Sequence, residues 1–395
     1  MLTQVLGLMA GFCKWSSTGA GFGATAGSVT LGGLPLTGVN WSDGIITATV
    51  PSGAATGQLM VKRGGPDGKE SVVGVTVHVG GAAPRTVNPN GSDGVNCGVA
   101  TPCKTIQAAV EAAGAGELIT VAPGTYNEYV IVDKRVRLQG WGAGSTYINA
   151  AKSATTGLAD WRRRINAKAG NTFDLLPGQE LGIDAANNEP LLFGAEEGPG
   201  ILVVGKAGIL GGIGPFSDCL LGNTTKLAID GLSITGSDSG GAILASGYAC
   251  GIELSNNRIT GNYGTYGGGV RIGHTALLAP DNTFTDGVNR APNIHHNWIS
   301  QNGATGAGGA GGITLGTGSN GYAVTNNYVC GNFSMSDGGG LSHLGLSPGS
   351  IVSGSSTPAN RVLDNKFYFN QTFNQAADPM GGGVSIAGQI PVGGG

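Results

Sequence analysis

The histidines and their cationic neighbours are the residues of this chain best equipped for proton chemistry. Arg271-Ile272-Gly273-His274 sets a guanidinium beside an imidazole, and His295-His296 stand just before Asn297. An imidazole titrates near neutral pH and serves as general acid or base. Arg271, His274 and His295 are therefore the candidate catalytic residues for a polysaccharide lyase or glycoside hydrolase. The carboxylates give that reading little help. Inverting hydrolysis needs two carboxyl groups roughly 6.5–9.5 Å apart. Asp230, Asp238, Glu253, Asp281, Asp286, Asp337, Asp364 and Asp378 form no pair at equivalent repeat positions. No acidic cluster marks a calcium site and no Cys/His spacing suits zinc. No metal or other cofactor is expected.

Recognition is the second chemistry on offer. Arg258, Trp298, Tyr328 and Lys366 each follow a repeated asparagine directly, and each precedes an apolar residue. If the repeats stack in register, these four side chains form one outward row. Aromatic faces flanked by cations suit sugar rings and acidic polysaccharides. The plainer alternative is aromatic stacking that only stabilises a sheet. His343 takes the place of Ile272, Leu315 and Ile386 in other repeats, which marks it as a core histidine with a buried partner.

The positioning element is the repeat itself. SNNRITGN, HHNWISQN, TNNYVCGN and LDNKFYFN share an Asn-x4-Asn core: Asn257 with Asn262, Asn297 with Asn302, Asn327 with Asn332, and Asn365 with Asn370. IDGLSITG reads as a degenerate copy with Gly231 and Gly236 at the same two places. A glycine cluster and an apolar-x-apolar strand follow each copy: VRI, ITL, LSH and VSI. The unequal separations predict coils of constant length carrying variable loops. Glycine at each corner tolerates positive φ and offers no side chain to the coil above. Asn257, Asn297, Asn327 and Asn365 are expected to form one vertical ladder of stacked amides. The segments TALLAPDNTFTDGVNR and GLSPGSIVSGSSTPANR leave from the same corner and should share one lateral side, the place for a groove or a contact surface.

Upstream the pattern differs. SVTLGG, IITATVP, GQLMVKR and VVGVTVHV are short β-rich runs separated by turn residues. With GAGFGATAG and WSDG, this stretch resembles the immunoglobulin-like IPT/TIG family, which implies a β-sandwich over residues 1–80 used as spacer or binding module. Residues 81–96, rich in Gly, Pro and Asn, read as a linker. From TPCKTIQAAVEAAGAGELITVAPGTYNEYV the chain resembles the pectate-lyase-like superfamily. That resemblance implies a right-handed parallel β-helix over 97–395, opened by an amphipathic capping helix within Thr101–Ala113. Polygalacturonase-like members carry acidic pairs that this sequence lacks. The pattern weakens over 150–228, an irregular excursion in which LADWRRRINAKAG reads as a short helix with a solvated Arg162-Arg163-Arg164 face.

Composition sets the outer bounds. Of 395 residues 76 are glycine and only 11% are charged, with a net charge of −3. That balance gives no reason to expect nucleic acid or an anionic membrane surface, and no apolar run is long enough to span a bilayer. The start, MLTQVLGLMAGF, lacks the positive n-region of a signal peptide. Among six cysteines, Cys97 and Cys103 bracket a short loop and are expected to pair, which favours an exported chain. The pairing of Cys13, Cys219, Cys250 and Cys330 stays open.

The leading expectation is an all-β, non-catalytic structural or adhesive module, secreted or on a bacterial surface, with extracellular polysaccharide or other surface proteins as partners. The rivals are the lyase or hydrolase, and the scaffold of a large exported enzyme, such as a metallo-oxidase, whose active domain lies elsewhere. The ending GGGVSIAGQIPVGGG follows a coil strand without a capping helix, so further coils or another subunit are expected beyond it.

Overall fold

The computed structural model describes residues 21–66, 68, 70–151, 155–179, 198–206, 226–274, 286–306, 309–343, 360–373 and 381–386. Cys13, Cys219, the apolar start, the ending after Ile386, and most of both long loops (275–285 and 344–359) lie outside them.

The chain is mostly β, with long parallel sheets compatible with a β-helix. Three walls carry it. The first runs from Arg85–Val87 through Leu118–Val121, Arg137–Gly140, Leu227–Asp230, Ile252–Ser255, Asn293–His295 and Ala323–Thr325 to Arg361–Leu363. The second runs from Gly124–Tyr126 to Lys366–Tyr368, and the third from Val130–Val132 to Val384–Ile386. A short fourth sheet of two-residue strands, Tyr263–Gly264 to Gln371–Thr372, joins the second wall to the third. Within the walls each strand pairs in parallel with its counterpart one coil away, as Arg258–Thr260 does with Trp298–Ser300.

Alternation along three-residue strands explains the core. The middle residue of each first- and second-wall strand points inward, and Ile229, Leu254, Ile294, Val324, Ile234, Ile259, Ile299 and Val329 are fully buried. Third-wall strands contribute their outer pair, as with Val270 and Ile272, and both are fully buried. One column of apolar side chains therefore runs the length of the stack. His343 is level with Leu315 and Ile386, where its Nδ1 lies 2.8 Å from the Tyr322 hydroxyl.

The corners hold two amide ladders. Asn257 Nδ2 donates to Asn297 Oδ1, Asn297 to Asn327 and Asn327 to Asn365, at 3.1, 2.9 and 2.9 Å. Asn262, Asn302, Asn332 and Asn370 repeat the pattern at 3.0, 3.0 and 2.9 Å. Each ladder also gathers backbone groups: Asn297 donates to Leu254 O while its own N–H reaches Asn327 Oδ1. The left-handed residue is the one before the ladder asparagine, namely Asn256, His296, Asn326 and Asp364, with φ between 54° and 58°. This corrects the placing of the degenerate copy. Asp230 is level with Ser255, so Gly231 (φ 66°) takes the left-handed slot of Asn256. Leu232 and Ser237 then stand in the asparagine slots and offer their backbone N–H to Asn257 and Asn262. The glycine clusters serve a different purpose. A Cβ on Gly268 would lie 2.4 Å from Gly303 O, and one on Gly269 2.4 Å from Gly312 O. Crowding by the next coil requires glycine at these two positions, while Gly338 (φ 70°) and Gly381 (φ 63°), which open their clusters, are left-handed as the corner reading expects.

Residues 28–77 form an antiparallel four-stranded sheet around Ser28–Leu31 and Gly57–Lys62, plus a two-stranded ribbon of Thr37–Trp41 with Ile46–Thr49. The segment expected as a linker contains a strand. Arg85–Val87 pairs with Ile119–Val121 and starts the first wall; Arg85 and Val87 are buried, and Thr86 on the strand's other edge donates to Gly98 O and accepts from Cys103 N. The helix Ile106–Ala112 packs against this first coil, burying Ile106, Ala109 and Val110 completely. Its N-terminus is held by Thr105, whose Oγ1 accepts from Ala108 N, and by the Glu128 carboxylate, which accepts from Ile106 N and Gln107 N. Cys97 and Cys103 form a disulfide beside it. A second helix, Thr155–Lys168, falls inside the irregular segment.

Candidate functional site

The second wall aligns the recognition residues. Arg258 is level with Trp298, Trp298 with Tyr328, and Tyr328 with Lys366. Their alternation partners Ile259, Ile299 and Val329 are buried, which turns the row outward. The Trp298 and Tyr328 rings stack with centroids 4.0 Å apart and planes 17° from parallel. That is the strand spacing expressed in side chains. Tyr368, in the next outward column, leans on Tyr328 at 5.6 Å and is 46% exposed. The indole N–H of Trp298 is engaged by Ser300 Oγ at 3.1 Å. Arg258, Trp298 and Tyr328 are half-buried and Lys366 is exposed, so the rings offer edges and part of a face, not a free-standing platform. Burial, then Tyr368, pushes the Tyr328 hydroxyl above its ordinary value, which keeps it a donor at neutral pH.

The catalytic candidates are not brought together. Arg271 and His274 stand at the third wall, while His295 stands on the first. Arg271 and His274 are each 1% exposed. Arg271 Nη2 lies 2.8 Å from His274 Nδ1. A guanidinium only donates, so Nδ1 accepts and the neutral ring carries its proton on Nε2, which donates to Ser246 Oγ at 3.2 Å, with Gln179 Nε2 lying 3.2 Å from the same nitrogen. Burial, reinforced by Arg271, holds His274 well below the ordinary histidine range. An imidazole with Nε2 already protonated cannot take the proton of Ser246. The arrangement is a buried polar brace.

His295 belongs to a cluster that its sequence position did not reveal. Its Nε2 lies 3.3 Å from Glu253 Oε1, and Lys226 Nζ lies 3.6 Å from Glu253 Oε2. The His295 hydrogen bond, then Lys226 and the charge of His295, overcome burial and hold Glu253 below its ordinary value. Asp230, one coil earlier, is pushed up by burial despite hydrogen bonds from Thr76 and Asn256. His296, against His295, falls to about 4 through burial and the charge of its neighbour. A cavity of about 140 Å³ lies among Arg137, Asp230, Glu253, Lys226 and His78. Asp230 is level with Ser255 and Glu253 with Ala228, so the two carboxylates are staggered by two residues across neighbouring strands. The stagger hides the pair from a search for equivalent positions. The antiparallel sheet covers this wall: Gln58 and Asn256 exchange side-chain hydrogen bonds, and Gly74 N donates to Asn256 Oδ1 at 2.9 Å.

Among the described residues no group of three or more His, Cys, Asp or Glu side chains is placed to hold a metal ion, and no helix is long and apolar enough to cross a membrane. Cys250 and Cys330 are disulfide-bonded, like Cys97 and Cys103. No protein-family profile, curated protein or solved structure matches the chain.

Proposed function

We propose that the chain is a non-catalytic extracellular module, an IPT/TIG-like sandwich (1–80) joined through 81–96 to a right-handed parallel β-helix of the pectate-lyase-like kind (97–395). Its second wall contacts a polysaccharide. The observation that carries this reading is the in-register row of Arg258, Trp298, Tyr328 and Lys366, with two rings stacked at 4.0 Å between two cations. Aromatic faces bind the C–H faces of sugars, and flanking cations suit uronate or sulfate groups. The disulfide is compatible with an extracellular setting. A bacterial surface and assembly with further coils belong to the same proposal. The rival lyase or hydrolase loses its candidate residues to burial and separation, since Arg271 and His274 form a brace and His295 serves Glu253.

Trp298→Ala tests the row. Retention on immobilised acidic polysaccharide should fall about tenfold or more, while the melting temperature shifts little because the indole is only half-buried. Unchanged retention with a clear loss of stability would make the row packing and sink the proposal. An unsaturated or reducing end released from any polysaccharide by the wild-type chain would restore the enzyme reading.

A further inference from the structure

One outward column of the first wall changes character along the stack. Gln139, Asp230 and Ser255 are level with one another and are 7%, 5% and 1% exposed. Leu363, at the far end of the same column, is 52% exposed. The buried stretch is the one that the N-terminal antiparallel sheet covers. Thr76 O accepts from Gln139 Nε2 at 2.7 Å. Asn256 Nδ2, bonded to Gln58, also donates to Asp230 Oδ1 at 2.8 Å, and the Thr76 hydroxyl reaches the same carboxyl. Docking therefore seals an acid beneath the sheet.

That acid has no counter-ion. Lys226 and His295 both go to Glu253, and among the described residues Asp230 makes no ion pair. The remaining charged or titratable neighbours are Arg137, on the preceding strand, and His78, just beyond Val75–Val77 of the sheet. Arg137 Nη1 lies 3.5 Å from His78 Nδ1, and His78 Nε2 donates to Gln139 Oε1. A buried carboxylate held only by neutral donors is less favourable than the same group in water, whereas a carboxylic acid can be buried with its hydrogen bonds. Burial, with a further push from Glu253, raises Asp230 above its ordinary value, against Thr76, Asn256 and the charge of His295. Lifting the sheet would return the group to water.

We propose that the N-terminal sheet is a pH-sensitive cover on the first wall, latched when Asp230 is protonated and loosened when it ionises. The sign follows from linkage. Docking raises the value, so the latch is complete below the ordinary carboxylate value of about 3.9 and weakens as pH rises through the docked value. Glu253 does not reverse this, because its partners His295 and Lys226 belong to the stack and not to the sheet. Lifting the cover bares a wall that carries Asp230, Glu253, Arg137 and Lys226.

Amide exchange of the full chain over a series from about pH 4 to about pH 8, expressed as protection factors, tests the latch. Asp230→Asn keeps the shape and the acceptor and imitates the protonated acid. At the upper end it should raise protection in Gly57–Lys62 and Val75–Val77 about tenfold over wild type, and the two proteins should converge at the acid end. That difference isolates Asp230 from His78, which both proteins carry. Gln58→Ala should lower protection at every pH and keep the slope. The wild-type series stands without any variant: protection of the sheet should fall as pH rises. The proposal is overturned if Asp230→Asn tracks wild type throughout, or if wild-type protection of the sheet is flat or rises with pH.

Discussion

The coil stack and the N-terminal antiparallel sheet are both β structure, yet different interactions hold them. In the stack, every inward residue of one coil lands on an inward residue of the next, and the apolar column is continuous. In the sheet only Val29 and Leu31 are buried apolar residues among those described, while Leu34, Val39, Ile45 and Val50 are exposed. The sheet rests on the first wall through polar contacts, with Asn256 bonded to Gln58 and Gly74 and Gln139 donating to Thr76 O at 2.7 Å. Periodicity lets a small set of residues build a core by repetition. A six-strand unit without it buries little and borrows a neighbour's surface.

The contrast is most exposed to a core truncation. Ile299→Ala should cost the stack about 2–5 kcal/mol, read as a large drop in the denaturant midpoint. Val29→Ala should cost about 1.5 kcal/mol and raise amide exchange in residues 28–77 alone. Equal losses of stack protection from both would mean that the two regions unfold as one. The ladder comes next. Asn327→Leu breaks bonds to Asn297 and Asn365 and leaves Ile294 O without its donor, for a loss of about 1–3 kcal/mol. An unchanged melting temperature would count against the ladder.

Acid should then distinguish the regions. His274 has a depressed folded pKa, so its contribution is complete above the unfolded value near 6.5 and is lost as pH falls toward the folded value. His296 adds the same sign between about 6.5 and about 4. Arg271, Ser246, Gln179 and Thr317 face His274, and Arg271 deepens the effect. The stack should lose several degrees of melting temperature between pH 7 and pH 5, and His274→Gln should flatten that slope. A pH-independent wild type would refute it. Gln58→Ala is the gentlest probe. It should loosen the docked sheet by about 1 kcal/mol, seen as faster exchange at Gly74, with no change in the stack's midpoint.

The sequence made the repeated parts legible because their spacing carries the information. Asn257, Asn297, Asn327 and Asn365, the apolar strand centres and the second-wall row all follow from Asn-x4-Asn. What it hid depends on register across loops of unequal length. Nothing local joins Gln179 and Ser246 to His274, or Glu253 to His295. Gly231 was misaligned by one residue because glycine fits both a left-handed slot and a crowded one. Arg85–Val87 looked like linker because three residues between turn formers carry too little periodicity to announce a strand.

The asparagine ladders also give the stack an electrical direction. Along each ladder one amide N–H of every asparagine up to Asn327 and Asn332 donates to the asparagine of the higher-numbered coil, while Nδ2 also donates back to a carbonyl of the preceding coil. Their dipoles therefore add head to tail, as peptide dipoles do along a helix. The coil of Asn365 and Asn370 is the positive pole of both columns. A segment laid on that coil with carbonyl oxygens above the two corners would meet a matching field, and one laid on in reverse would meet an opposing field.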